Sequence, residues 1–280
     1  MANESIERKY EHLKIILDEM QTIVLAFSGG VDSTLLLKVA MEVLGKERLL
    51  AVTSRSETTA RHELEQAVAL AAEFGTPHLV IPSREMSLSE FVRNLEDRCY
   101  VCKQSRFADL THLARERQLA VVVDGTNVDD HADYRPGMKA LRELRVRSPL
   151  SEANLTKGEI RLLSKQLNLA TWQKPSYACL ASRIPYGMAI TADKLQQVDC
   201  CEDFIRGLNM TVQVRVRHYG DTARIEVNAD SLTRLTEASV RKRLVDYCKK
   251  QGFSYVTVDL EGYQMGSMNR VLDRSTRPLD

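Results

Sequence analysis

Apolar positions along this chain follow two alternating periods. Over residues 4–20, Ile6, Leu13, Ile16, Leu17 and Met20 fall near one face at helical spacing. An unbroken apolar run from Ile23 to Phe27 follows, then a short polar turn and a second apolar run from Leu35 to Ala40. This predicts a strand over Ile23–Phe27 and a helix over Asp32–Leu44. The rhythm repeats as a strand over Leu49–Thr53, a helix around Thr58–Phe74 and a strand over Leu79–Ile81. A helix carrying Cys102, Phe107, Leu110 and Leu113 then leads to a β-branched strand over Ala120–Val123. Strands buried on both faces read as continuous apolar runs, so the alternation predicts an α/β fold, a parallel sheet with helices on both faces. Its ligand site is expected at the carboxyl ends of the strands, where the strand order reverses.

After a helix over Lys157–Leu167 the pattern changes, close to Gly187. A helix over Thr191–Leu208 precedes two alternating segments, Val212–Arg217 and Thr222–Val227, joined by a turn at Tyr219-Gly220-Asp221 that reads as a β-hairpin. A helix over Val240–Lys250 and a strand over Tyr255–Leu260 complete a smaller α+β unit. Residues 1–187 and 188–280 are the two expected domains. No internal repeat or low-complexity segment interrupts them.

The chain has 280 residues, 44% hydrophobic and 28% charged, with a formal net charge of +1. That is enough chain for a large core and for two domains. A near-zero net charge argues against nucleic acid as a partner. No run of about 18 apolar residues is present to span a bilayer, and the N-terminal residues lack the apolar core of a signal peptide. We therefore read the chain as cytoplasmic.

Ser28-Gly29-Gly30-Val31-Asp32-Ser33 occupies the first strand-to-helix turn. Two glycines let the backbone approach an anion, and the N–H groups and dipole of the new helix point at it. The Ser28 and Ser33 hydroxyls add donors. The Asp32 carboxylate does not favour bare phosphate and implies a bridging Mg²⁺. The turn lacks the lysine of a Walker loop and is not GxGxxG. It resembles the SGGxDS loop of the PP-loop ATP pyrophosphatases, which include NAD and GMP synthetases and many sulfur-inserting enzymes. An ordinary glycine turn is the plainer alternative. Ser28, Gly29, Gly30, Asp32 and Ser33 are assigned to ATP, together with Thr53 and Gly125 at the carboxyl ends of later strands. Asp124-Gly125-Thr126-Asn127 and the acidic residues after it, through Pro136, read either as a solvated acidic loop or, from their place after a strand and as similar loops do in PP-loop enzymes, as a loop facing nucleotide and metal.

Six cysteines in such a chain point to free, metal-bound or reactive thiols rather than a disulfide framework. Cys99 and Cys102 form a CxxC. Cys179 stands alone, while Cys200, Cys201 and Cys248 sit among helix-spaced apolar residues where thiols simply pack. The CxxC admits structural zinc, a redox dithiol or iron–sulfur ligation. Zinc wants four protein ligands, and no second CxxC or suitably spaced His pair is present.

The loop, Asp133-Tyr134-Arg135-Pro136-Gly137, Cys179-Leu180-Ala181-Ser182-Arg183-Ile184-Pro185-Tyr186-Gly187 and Val214-Arg215-Val216-Arg217 together resemble the LarE family over nearly the whole chain. Its members are ATP-dependent sulfur transferases that help make the nickel-pincer nucleotide of lactate racemase. The resemblance implies adenylation of a pyridinium-dicarboxylate mononucleotide, followed by exchange of carboxylate oxygen for sulfur. Members that sacrifice their own cysteine carry it one place earlier, where this chain has Ala178. The pattern here is similar to the other branch, in which Cys99, Cys102 and Cys179 would hold a [4Fe-4S] cluster with one iron open to an extra sulfide. The resemblance also implies a substrate site of Ser182, Arg183, Glu202, Arg215 and Arg217, and a homo-oligomer, a hexamer in the family. Arg215 and Arg217 leave one face of a strand, where two guanidiniums suit a phosphate. A solvent-facing strand with Val214 and Val216 turned inward gives the same pattern.

These features point to an ATP-dependent sulfur transferase using ATP, Mg²⁺ and a [4Fe-4S] cluster, with Cys179 and Asp32 as its catalytic residues and sulfide or a sulfur donor as partner. Its rivals are a tRNA thiolase, a sacrificial enzyme spending Cys179, an ammonia-using synthetase and a nucleotide sensor without turnover.

Overall fold

The computed structural model describes residues 5–131, 137–209 and 213–269. The chain opens with Ile6–Glu19 (α1), whose N-cap Ser5 accepts from the Arg8 N–H at 3.4 Å. It continues through Ile23–Ala26 (β1), Val31–Leu44 (α2), Leu49–Arg55 (β2), Arg61–Glu73 (α3), His78–Pro82 (β3), Ser89–Val92 (α4) and Arg98–Glu116 (α5). Val121–Val123 (β4), Gly137–Glu143 (α6), Pro149–Glu152 (α7) and Lys157–Gln166 (α8) follow. The chain divides into two compact units. One holds the described residues up to Phe91 and from Leu95 to Tyr177, the other Val92–Asn94 and the described residues from Ala178 onward. Residues 132–136 of the acidic loop, Val212 at the start of the expected hairpin and the tail beyond 269 lie outside the described residues.

In the first unit β3, β2, β1 and β4 pair in that order, all parallel. Side chains alternate across β1. Ile23 and Leu25 enter a core with Leu13 and Leu17 of α1, Leu36 of α2, Ala67 of α3 and Ile160 of α8. Val24 packs on the opposite face with Phe107 and Leu110 of α5 and Leu141 of α6. Helices therefore cover both faces, as the continuous apolar runs predict. Leu35, Leu36 and Leu37 are all fully buried, each contributing about 1.5–3 kcal/mol. The chain steps outward from β1 to β2 to β3 and then returns to place β4 on the other side of β1. The order thus reverses between β1 and β4, and a crevice belongs at their carboxyl ends.

Helix α3 begins at Arg61 rather than Thr58, because Thr58 is committed elsewhere. Its hydroxyl donates to Glu85 at 2.9 Å, and Ser56 donates to the same oxygen at 2.5 Å. Ser83 donates to the other Glu85 oxygen, and Arg106 of α5 pairs with the carboxylate at 2.5 Å. Glu85 is fully buried. This knot fastens α5 to the carboxyl ends of β2 and β3. The helices α4, α6 and α7 are too short to print a period in the sequence.

The second unit contains Ala192–Gly207 (α9), Val214–Tyr219 (β5), Thr222–Val227 (β6), Leu232–Thr236 (α10), Ala238–Lys250 (α11) and Tyr255–Val258 (β7). Strands β5 and β6 form the antiparallel hairpin, with Gly220 at φ +68° in its two-residue turn, and β7 adds in parallel to β6. Phe204 of α9 stacks on Tyr247 of α11 at 4.2 Å, and Cys201 and Cys248 are fully buried. Asn94, itself buried at φ +58°, donates to the carbonyls of Ile184, Pro185 and Met188 and accepts from the Gly187 N–H. It thereby shapes the segment that follows Cys179. Among the described residues no helix is long and apolar enough to cross a membrane.

Burial alone would raise the Glu85 carboxyl, but Arg106 and the hydroxyls bring it from 4.5 down to about 2. A lowered carboxyl stabilises the fold above its unfolded value and loses that contribution as pH falls through the folded one. Urea unfolding should therefore show stability declining between pH about 4.5 and about 2. Glu85→Gln should lower stability at pH 7 by about 3 kcal/mol and flatten that acid limb. An unchanged acid limb would show that Glu85 does not carry it.

Candidate active site

The Ser28–Ser33 turn stands at the carboxyl end of β1, at the reversal of strand order. Gly29 takes φ +68°, and a Cβ there would lie 3.0 Å from the Ala67 Cα. Glycine is required on both counts. Gly30 is the N-cap of α2, so the backbone N–H groups of the first turn open toward the crevice. The Ser28 and Ser33 hydroxyls are 3.1 Å apart, and Ser33 donates to the Gly30 carbonyl at 3.3 Å. Gly125, just past β4, packs on this turn: a Cβ would stand 3.1 Å from the Ser33 nitrogen. Thr53 lies one strand over and donates to the Phe27 carbonyl at 2.7 Å. That donation leaves His78 Nε2, 2.8 Å from the same hydroxyl, as a donor. Burial lowers the His78 pKa. Thr53 and His78 thus brace Phe27, the residue between β1 and the turn.

Asp32 is the acidic residue of the turn. Its Oδ1 accepts from Asn127 Nδ2 at 3.2 Å and its Oδ2 pairs with Lys157 Nζ. Asn127 Oδ1 accepts from the Asp129 N–H at 3.0 Å, and Asp129 Oδ2 accepts from the Lys157 N–H at 2.8 Å. The four residues close a ring. Hard carboxylate oxygens beside an anion cradle fit Mg²⁺, which takes one or two carboxylates plus phosphate oxygens. A second lysine, Lys174, donates to the Gly29 carbonyl at 3.0 Å and pairs with Glu63 at 2.9 Å. Burial would raise Glu63, but His62 and Lys174 hold it below its ordinary value.

In the second unit Ser182, Arg183, Glu202, Arg215 and Arg217 come together. Arg183 clasps Glu202 through Nε at 2.7 Å and Nη2 at 2.9 Å, and its Nη1 donates to Ser182 Oγ at 2.9 Å. Glu202 also accepts from Arg206 at 2.7 Å and from the Val216 N–H at 3.0 Å. Burial would raise its carboxyl, yet Arg183, Arg215 and Arg206 keep it low. Arg217 pairs with Glu226 at 2.6 Å and donates to the Ser182 carbonyl at 3.1 Å. Arg215 lies over the Tyr263 ring, 5.0 Å from its centroid. The solvent-facing strand is ruled out: Val214 through His218 are all buried. Three buried guanidiniums, Arg183, Arg215 and Arg217, face two buried carboxylates, Glu202 and Glu226. This core of the basin is one positive charge over, which suits a phosphate.

Cys99 and Cys102 stand one turn apart at the N-terminal end of α5, Cys99 exposed and Cys102 half-buried. At this spacing they share a helix face. Cys179 is exposed in the second unit, and its carbonyl accepts from Arg183 Nη1 at 3.3 Å and from the Ser182 N–H at 3.0 Å. Accessible thiols of this kind suit iron or zinc.

Lys157, Lys174 and Glu226 were not singled out in the sequence. A signal for Lys157 was present. Thr156 and Glu159 form a capping box, so Lys157 is the first residue of α8, where the dipole disfavours a cation.

A family model described as NAD synthase matches residues 6–128. The chain is 42% identical to an uncharacterized protein of Synechocystis sp. over 96% of this chain and all of the relative. It is 36% identical to the pyridinium-3,5-bisthiocarboxylic acid mononucleotide synthase of Lactiplantibacillus plantarum, over 97% of both chains. An uncharacterized protein of Methanocaldococcus jannaschii is 29% identical over 93% of this chain and 94% of its own.

Gly29→Ala should weaken ATP binding about tenfold or more, because a side chain at positive φ costs roughly 1–3 kcal/mol and meets α3 as well. Calorimetric titration with ATP, alongside circular dichroism to check the fold, tests this. Unaltered affinity would mean that the turn does not cradle the nucleotide.

Proposed function

The chain belongs to the family that includes pyridinium-3,5-bisthiocarboxylic acid mononucleotide synthase, and from that premise we propose that it adenylates a pyridinium-dicarboxylate mononucleotide with ATP and replaces a carboxylate oxygen with sulfur. One observation supports this reading: the chain has two arrangements that suit an anion, the Ser28–Ser33 turn and the arginine basin around Ser182, and the reaction uses two phosphate-bearing molecules.

The N–H groups of the first turn of α2, with Ser28 and Ser33, bind the β- and γ-phosphates. Asp32 would hold Mg²⁺, which neutralises the phosphate oxygens. The substrate carboxylate attacks the α-phosphorus, an O–P bond forms, and pyrophosphate leaves with the electrons of the broken one. Arg215 and Arg217 bind the mononucleotide phosphate, and Arg183, oriented by Glu202, fixes the segment bearing Cys179. A sulfur nucleophile then attacks the acyl carbon. AMP leaves with the former carboxylate oxygen, being a far better leaving group than that oxygen alone. A [4Fe-4S] cluster held by Cys99, Cys102 and Cys179 would supply the sulfide.

Pyrophosphate release should require the mononucleotide and vanish in Asp32→Ala with the melting temperature retained. Release without any acceptor, or persistence in Asp32→Ala, would refute the assignment. Prepared without oxygen, the protein should contain about four irons per chain, and replacing any of the three cysteines by Ala should release them. Zinc in place of iron would end the cluster reading. Single turnover with dehydroalanine at position 179 would make the cysteine itself the sulfur source.

A further inference from the structure

Lys157 is placed where no helix electrostatics would put it, at the positive end of α8, and its ammonium is spent on the carboxylate of the ATP turn. Its backbone is fixed independently. Thr156 and Glu159 cap the helix reciprocally, Lys9 anchors Glu159 at 2.8 Å, and Asp129 takes the Lys157 N–H at 2.8 Å. Asn127, bonded to the other oxygen of Asp32, belongs to the same ring. The side chain alone is free to move, since four methylenes carry a compact charge from a held Cα. Both partners are partly open to solvent, Lys157 at 28% and Asp32 at 21% side-chain exposure.

An ammonium and a divalent cation repel each other and so compete for one carboxylate oxygen. We propose that Lys157 is the resident counter-ion of Asp32 and exchanges with the divalent cation there, its ammonium passing to the phosphates when ATP arrives. This rests on the nucleotide reading above. Metal alone must displace the lysine without compensation and binds weakly. Metal with ATP frees an ammonium that finds a phosphate oxygen. Uptake of the two is thereby coupled.

Titration of the nucleotide-free protein with Mn²⁺, followed by electron paramagnetic resonance, tests the exchange. Asp32→Asn identifies the Asp32-dependent binding. Lys157→Met should tighten that binding about tenfold, while Lys157→Arg, which keeps the charge, should stay near the wild type. A purely structural lysine would shift the melting temperature and leave Mn²⁺ affinity alone. Lys157→Gln removes the same charge should methionine disturb folding. Unchanged or weaker Mn²⁺ binding in the folded charge-free variants overturns the exchange and leaves the nucleotide reading standing. A wild-type protein that binds no ATP overturns that reading and the hand-over of the ammonium with it.

Discussion

The first unit depends on how closely its backbone is allowed to approach itself at Gly29. Strand β1 ends three residues before it, α2 begins two residues after it, and α3 crosses so near that a single methyl group would touch the Ala67 backbone. Gly125 repeats the constraint from β4, against the Ser33 nitrogen. Two missing side chains therefore leave the helix N-terminus uncovered, at the point where strand order reverses. The buried Thr53 and the half-buried His78 add a second layer, holding the carbonyl of Phe27 from the neighbouring strands. Polar groups here do the work that packing does elsewhere in the sheet.

In both the Ser28–Ser33 turn and the arginine basin the chain pairs most of the charges itself. Asp32 and Glu63 occupy the lysines around the turn, and Glu202 and Glu226 occupy the arginines of the basin. A bare cluster of buried cations would destabilise the fold, since an unpaired buried charge costs several kcal/mol. The carboxylates remove that cost while leaving the geometry assembled. Glu202, with four donors on it, is an orienting group for Arg183 more than a group that would meet a ligand.

The regular elements were legible because each prints its period locally. The strand at Ile23, the helix ending at Leu44 and the hairpin around Gly220 fall within a residue or two of where the pattern puts them. The Ser28–Ser33 turn was legible for the same reason, as its residues are consecutive. Lys157 was not, because its meaning lies in a carboxylate 125 residues away. Glu85 was hidden likewise, its partners spread over the segments just past β2 and β3 and over α5. Strand β5 misleads in a different way. Alternating valine and arginine implies one wet face, and that inference fails because Tyr263, Glu202 and Glu226 cover the arginine side.

The arginine basin has a consequence for how this sequence can vary. Arg183 is paired with Glu202 and Arg217 with Glu226, so removing one member of either pair strands its partner in a buried site, and single changes there cost more than paired ones. Glu202 and Arg183 can be exchanged only together, and Arg217 only with Glu226. In a population of related chains these positions therefore behave as linked characters that descend as a block. Their joint history records the fold's electrostatic balance as much as the ligand it surrounds.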